Sequence, residues 1–472
     1  MGIKMMRQSR CSVRVSLTCA VLVMTTIVAN SAAAKEPPTR RPNIILIMAD
    51  DVGYEGVSAY GSPTYRTPNL DKLAATGMLF NHCYSQPICT PSRVQIMTGK
   101  YNLRNYTKFG HLDTRQITFG NILRKAGYAT AIAGKWQLGG DGRTVKNFGF
   151  DTHCLWHIGG RKSRYWNPRI VENGRVRGDV SKKFGPDVMC KFVTDFIGQK
   201  RDKPFFVYYP MMLPHWPFVP TPDSKPGGSR IRSGKYDGRA GGTEYFPDMV
   251  AHVDTLVGRI VASLDEHGLR ENTLLIFTAD NGCAVNIRSK MKGGVIRGGK
   301  ASMPDAGTHV AMIAHWKGTI PAGRVTDTLV DFSDLLPTLV ETTGAALPAD
   351  LKLDGQSFLP QLRGEKGTPR KWVFCHYTRN GIPRDPGSAK GRQKIIQKQA
   401  KARGAKKLGR FARNQRYKLY DDGRLYDVQQ DVLEKTDLVP GTGTPEVEAV
   451  RKMLQQVHDS MPAWIPYKKK AA

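Results

Sequence analysis

No pair of cysteines in this sequence is spaced as CxxC, and after the first few dozen residues no apolar run is long enough to cross a bilayer. The first absence argues against structural zinc, and the second against an integral membrane protein. No internal repeat is present, which sets aside solenoids and propellers. Acid is scarce: 40 Asp and Glu stand against 71 Lys and Arg, a formal charge of +31. A balance of that kind favours polyanionic partners. With 472 residues and 40% hydrophobic content the chain is neither fibrous nor disordered. Its length suits two or more domains, or one enlarged domain with a small companion.

What is present begins with a leader. Lys4, Arg7, Arg10 and Arg14 precede an apolar run over residues 15–29, followed by Ser31, Ala32, Ala33 and Ala34 before Lys35. That order reads as a secretory signal peptide over residues 1–34, cleaved near Ala34. The run is shorter than the roughly 20 residues a spanning helix needs, so no stable membrane anchor is expected after cleavage. The mature protein is then exported, to a periplasm or beyond the cell. Of the eight cysteines, Cys11 and Cys19 leave with the leader, and Cys83, Cys89, Cys154, Cys190, Cys283 and Cys375 remain, widely spaced. Disulfides are open to an exported chain. Export together with the basic charge points to sulfated or carboxylated polysaccharide, or an anionic cell wall. Nucleic acid is not expected as a partner, since no reading motif is recognisable.

Short apolar runs alternate with helical stretches over residues 43–340. Residues 43–48 (NIILIM), 129–133 (ATAIA), 205–209 (FFVYY), 274–278 (LLIFT) and 310–314 (VAMIA) read as buried strands. Val250, Val253, Val257, Ile260, Val261 and Leu264 share one face of a helix. Alternation of this kind predicts an α/β fold with a large, mainly parallel central sheet and helices on both faces, over residues 35–365. Function in such sheets sits at the carboxyl ends of the strands. Residues 366–472 are expected to form a small C-terminal α+β domain. It carries a strongly basic segment, 388–418, and a hairpin in which Asp421-Asp422-Gly423 joins residues 417–420 to 424–428. Residues 221–242, rich in Gly, Pro and basic side chains, read as a surface loop, and 344–370 as a Pro- and Gly-punctuated connection.

Asp50-Asp51 directly follows the first strand and Asp280-Asn281-Gly282 follows the fourth. Carboxylates at buried strand ends are costly unless a cation neutralises them. Acid and amide oxygens suit a hard cation, calcium or magnesium, rather than zinc. Each pair alone is also ordinary turn chemistry, and spacing leaves both readings open. In Cys89-Thr90-Pro91-Ser92-Arg93, Pro91 and Ser92 suit the opening of a helix that Gly99 ends, which puts Cys89 just before the helix N-terminus. Backbone N–H groups there lower a thiol's pKa and attract anions.

The pentapeptide Cys89–Arg93, with Thr98-Gly99 downstream, resembles the signature C-x-P-S-R of the sulfatase family, in which the cysteine is oxidised to formylglycine. The likeness runs through nearly the whole mature chain. Pro42-Asn43 with Asp50-Asp51-Val52-Gly53-Tyr54 is similar to the family's opening strand and metal motif. Ala126-Gly127-Tyr128 through Gly134-Lys135-Trp136 resembles its second signature. Pro214-His215-Trp216-Pro217, Thr278 to Gly282, Gly298-Gly299-Lys300 and Leu425-Tyr426-Asp427 fall in the expected order.

The resemblance implies an alkaline-phosphatase-like fold and an exported hydrolase of organic sulfates, with a sulfated carbohydrate favoured by charge and export. It implies that Asp50, Asp51, Asp280 and Asn281 hold one Ca²⁺ against the nucleophile at Cys89. Arg93 would steady the formylglycine hydrate, Lys135 and Lys300 would neutralise the sulfate, and His215 would protonate the leaving alcohol. A formylglycine-generating or other sulfatase-maturing enzyme is then a required partner. If Cys89 is consumed in this way, an odd number of thiols remains, so at least one is unpaired.

Two departures stand out. Where the family reads Gly-Lys-Trp-His-Leu-Gly, this chain has Gln137, which can hydrogen-bond substrate or hydrate but cannot take a proton at neutral pH. His153 or His157 could replace the missing base, although a polar surface position is the commoner reading of each. The second departure is Asp305-Ala306-Gly307-Thr308-His309 in place of Glu-Gly-Gly-x-Arg, a change expected to tune pocket or packing. Arg288, Lys290, Lys292 and Arg297 lie in a Gly-containing loop that either meets a polyanion or is simply solvated. Trp156, Tyr165 and Trp166 are candidates for stacking on sugars, though core is the commoner role of aromatics. Two rival functions remain: a phosphomonoester or phosphonate ester hydrolase on the same scaffold, and a catalytically impaired polysaccharide-binding homologue.

Overall fold

The computed structural model describes residues 41–156, 158, 163–224, 242–377 and 409–462. The leader, His157, most of the 221–242 loop and the basic segment up to residue 408 lie outside the described residues.

Five strands form the parallel centre of the large sheet. In spatial order they are Thr273–Ala279, Asn43–Ala49, Phe205–Pro210, Ala129–Lys135 and Thr152–Trp156. The first three are buried along their whole length, which is why each reads as an unbroken apolar run instead of an alternating one. Beyond Thr273–Ala279 the sheet turns mixed. Met312–His315 runs antiparallel to it, and Met78–Tyr84 pairs antiparallel with Met312–His315 and parallel with Arg324–Asp331. Sequence periodicity does not reveal Met78–Tyr84, Thr152–Trp156 or Arg324–Asp331. Their runs carry Asn81, His82, His153 and Asp327, and pairing partners decide their state.

Two helical layers cover the sheet. Pro68–Thr76, Gly185–Gln199 and Phe246–Glu266 pack together in one, and Cys89–Thr98, Phe119–Lys125 and Leu335–Thr343 in the other. Because the central strands are parallel, Asp50, Lys135 and Asp280 all emerge at one edge. Gly134 (φ 116) has no room for a side chain, since a Cβ there would meet the Pro210 carbonyl oxygen at 1.9 Å.

A second, antiparallel sheet runs Val373–His376, Arg410–Arg413, Tyr417–Tyr420, Leu425–Asp427, with the expected hairpin as its last two strands. Alternation gives it two faces. Phe374, Ala412 and Leu419 share an apolar cluster with Leu454 of helix Pro445–Ser460. Cys375, Phe411 and Tyr420 lie in another cluster with Ile88, Cys89 and Met303. The small sheet thus walls the Cys89 end of the large one.

Several expectations change. Residues 288–297 are a hairpin, Arg288–Met291 against Gly294–Arg297, anchored by Tyr65 and Ser289 hydroxyls 2.9 Å apart. Trp156, Tyr165 and Trp166 are buried and so belong to the core instead of presenting a stacking surface. His153 is buried too, accepting from Gly174 N–H at 3.1 Å, because its strand is internal to the sheet. All six described cysteines are free, buried thiols.

Candidate active site

Helix Cys89–Thr98 is buried on every side, so no amphipathic stripe marks it. Ser92 and Gln95 tie it to neighbouring segments, while Arg93 Nε is buried without a partner. Ser92 Oγ accepts from Gln86 N–H at 3.1 Å, and Gln95 bridges Gln86 and Asp331, each bond 2.6 Å. Gly99 (φ 66) closes it in the left-handed conformation. Cys89 is its first residue, at the end where a helix leaves its backbone N–H groups unpaired. Burial pushes this thiol up, with Lys135 and Lys300 acting in the opposite direction. Thiolate nucleophilicity is therefore not what the position supplies.

Around Cys89 the strand ends deliver charge. Asp50, Cys89 and His215 each offer a ligand atom within 4.8 Å of the others, and Asp50, Asp51 and Asp280 form a second such set. Lys135 Nζ donates to both Asp50 oxygens at 2.8 and 2.7 Å. Arg93 donates to Asp280 Oδ2 and to the Lys135 carbonyl, both at 2.9 Å. Lys300 Nζ donates to Asp51 Oδ2 at 2.5 Å, and His215 Nε2 lies 3.7 Å from the same oxygen. Asn281 Nδ2 donates to Asp51 Oδ1 at 2.8 Å, while its own Oδ1 is buried without a partner.

Electrostatics follow from this crowding. Burial opposes ionisation of Asp50, yet Lys135, His215, Arg93 and Lys300 hold it well below the usual carboxylate range. Burial and the Asp50 charge push Asp280 up to about 7 despite Arg93 and Lys135. Burial lowers His215 to about 3, so its imidazole is neutral at pH 7 in this arrangement. Three buried carboxylates and an orphaned amide oxygen make a donor set that fits a hard divalent cation. Asp51 (φ 72) and Gln137 (φ 53) both hold left-handed backbone, which costs about 1–3 kcal/mol for residues of this kind and clusters at functional sites.

The sulfatase family profile matches residues 42–345. The chain is 31% identical over 388 residues to canine (Canis lupus familiaris) N-acetylgalactosamine-6-sulfatase, covering 74% of this chain and 70% of that protein. To human arylsulfatase A it is 30% identical over 479 residues, covering 91% and 90%. The chain belongs to the sulfatase family. The crystal structure of Ps i-CgsB matches with a TM-score of 0.71 at 25% identity, over 90% of this sulfatase and 95% of that chain. The family lies within the alkaline phosphatase superfamily, and the chain is a sulfatase enzyme, a hydrolase of sulfate esters.

All of Asp50, Asp51, Cys89, Arg93, Lys135, His215, Asp280, Asn281 and Lys300 meet in this one cluster. Gln137 is buried at the end of the strand that bears Lys135, its Oε1 without a partner. His153 Nε2 accepts from Gly174 N–H and its backbone N–H donates to Asn173 Oδ1, so its bonds are with the 173–174 turn. Sequence reasoning missed Arg164, whose NH1 lies 2.8 Å from His215 Nδ1. It also missed Arg413 and Lys418. Arg413 donates to both Asp305 oxygens at 2.6 and 2.7 Å, and Lys418 donates to the Met303 carbonyl at 2.6 Å. These two residues of the small sheet brace the loop that carries Lys300, and Asp305 serves packing there. Nothing in a linear motif signals them, because their partners are more than a hundred residues away.

Proposed function

We propose that this sulfatase removes sulfate from a sulfated carbohydrate after export, using Cys89 converted to formylglycine and one Ca²⁺. The observation that carries the reading is the position of Cys89, at a buried helix N-terminus among Asp50, His215, Arg93, Lys135 and Lys300. In the structure Sγ stands where an oxygen of the formylglycine hydrate would be, on Cβ, the carbon that would carry both hydroxyls. Formylglycine supplies a hydroxyl for attack on sulfur and a second hydroxyl that allows sulfate to be released. Asp50, Asp51, Asp280 and the Asn281 amide oxygen would hold the calcium, which withdraws charge from a sulfate oxygen when bound.

The chain's own groups do the rest. A sulfate ester resists nucleophiles because its oxygens repel them, and Lys135 and Lys300 bring fixed positive charge to offset that repulsion. Arg93, tied to Asp280 and the Lys135 carbonyl, holds the helix start against both strand ends. His215 Nε2 faces Asp51 and is assigned the proton that goes to the leaving oxygen. That role requires the anionic sulfate to offset Lys135 and Lys300 and favour the imidazolium, because burial otherwise keeps the ring neutral. Gln137 contributes a hydrogen-bonding amide and no base.

The test is peptide mass spectrometry across Cys89 on protein from its native host, with aldehyde trapping, joined to rates on nitrophenyl sulfate and nitrophenyl phosphate. An aldehyde and a preference for sulfate are expected. An unmodified thiol in exported protein would sink the formylglycine mechanism, and a preference for phosphate would favour the rival esterase. Exhaustive chelation is expected to lower turnover at least ~100-fold, recovered by calcium. Full activity in metal-free protein would remove the ion from the reading.

Support for a polymeric anionic substrate comes from the hairpin before Lys300. Arg288 and Arg297 face each other across its strands, and among the described residues neither they nor Lys290 or Lys292 has an acidic partner. Like charges directly opposite are unfavourable until an anion joins them. The combined variant R288Q/K290Q/K292Q/R297Q is expected to lose about 10-fold more kcat/KM on a sulfated polysaccharide than on nitrophenyl sulfate, with a flatter salt dependence. Equal losses on both substrates would dismiss the hairpin as a polymer contact.

A further inference from the structure

The leaving-group side of the site holds a cation that none of the assigned roles uses. Arg164 is half-buried, and its guanidinium stacks on the Trp156 indole at 4.1 Å and lies 5.8 Å from the Tyr165 ring centre. Its NH1 approaches His215 Nδ1 at 2.8 Å. No carboxylate among the described residues pairs with it. A half-buried charge without a counter-ion is unfavourable, and the indole face offsets only part of that cost.

The bond to His215 does not occupy Arg164 fully. The Trp216 carbonyl lies 2.5 Å from the same Nδ1, and one ring nitrogen serves either the carbonyl or the guanidinium. A guanidinium has five N–H donors in a fork that matches carboxylate or sulfate oxygens. The backbone beneath it is pinned, since the Tyr165 hydroxyl donates to the carbonyls of Met212 at 2.8 Å and His215 at 2.5 Å. The fork is therefore held in place before substrate arrives.

We infer that Arg164 is a specificity-determining residue that binds a second anion of the substrate, a carboxylate or sulfate close to the ester being cleaved. This rests on the reading of His215 as the group beside the leaving oxygen, since that places Arg164 over the part of the substrate that departs. In this arrangement Lys135 and Lys300 meet the sulfate common to all sulfate esters, and Arg164 meets what differs among them.

The test compares nitrophenyl sulfate with its ring-carboxylated isomers, the carboxylate ortho or meta to the ester, on protein with Cys89 fully converted. Wild-type enzyme is expected to favour at least one carboxylated isomer about 10-fold in kcat/KM beyond leaving-group effects. R164M should erase that preference and R164K retain part of it. Comparing the same substrates on enzyme and variant cancels leaving-group differences. Two results would overturn the inference: a preference that survives in R164M, or a loss that tracks leaving-group basicity regardless of the added charge. The latter would make Arg164 only a positioning residue for His215. Equilibrium binding of the same carboxylated esters to wild type and R164M decides the matter even without turnover, so failure of the sulfatase mechanism and failure of this inference are told apart.

Discussion

Replacing Cys89 with alanine is expected to lower kcat/KM on any sulfate ester by a factor on the order of 10⁴ to 10⁶, the scale of loss when a covalent nucleophile is removed. The fold should tolerate the change. Cys89 starts its helix, the helix is held by Ser92, Gln95 and Gly99, and the substitution deletes one sulfur from the cluster of Ile88, Met303, Phe411 and Tyr420. Cys89→Ser is the more informative partner. A serine hydroxyl can be sulfated but lacks the second hydroxyl needed to release sulfate, so a single turnover per enzyme followed by arrest is expected. Burst kinetics and intact mass read this directly. An alanine variant that keeps more than about 1% of the wild-type rate would show that another group attacks sulfur.

The second large effect is on stability. Asp305→Ala leaves Arg413 with no carboxylate and takes one partner from Lys418, both of them buried. Breaking a buried pair by deleting one partner costs about 3–5 kcal/mol, because the remaining charge stays desolvated. Lys418 retains Glu434 at 2.8 Å, which places the expected loss toward the lower part of that range. Urea denaturation measures it. Because Asp305 and Met303 share a loop with Lys300, kcat/KM should fall as well, and in folded protein below the transition. A loss under about 1 kcal/mol would mean that water reaches the pair and that the small sheet does not brace the loop carrying Lys300.

Residues with chemistry were legible where chemistry and chain order coincide. Asp50-Asp51 and Asp280-Asn281 follow strands readable as apolar runs, so their place at the carboxyl ends is evident from chain order alone. Cys89 to Arg93 announced itself through its pentapeptide. Helix Cys89–Thr98 was bounded by Pro91 and Gly99, although its all-round burial removes the periodicity by which helices are usually found. His153 was misjudged as a surface group because a lone polar residue in a mixed run says nothing about which neighbours cover it.

The sequence alone determined the parallel α/β core, the family, and the identities of the residues that meet at Cys89. Those depend on local apolar runs and short motifs, which the chain carries in linear order. Only the tertiary structure decided that Lys135 binds Asp50 while Lys300 binds Asp51, that Arg413 and Lys418 brace Asp305 from the second sheet, and that Arg164 stands beside His215. Each is a pairing across a long stretch of chain. Its energy comes from desolvation and geometry, which appear only once the strands have brought the charges to one edge.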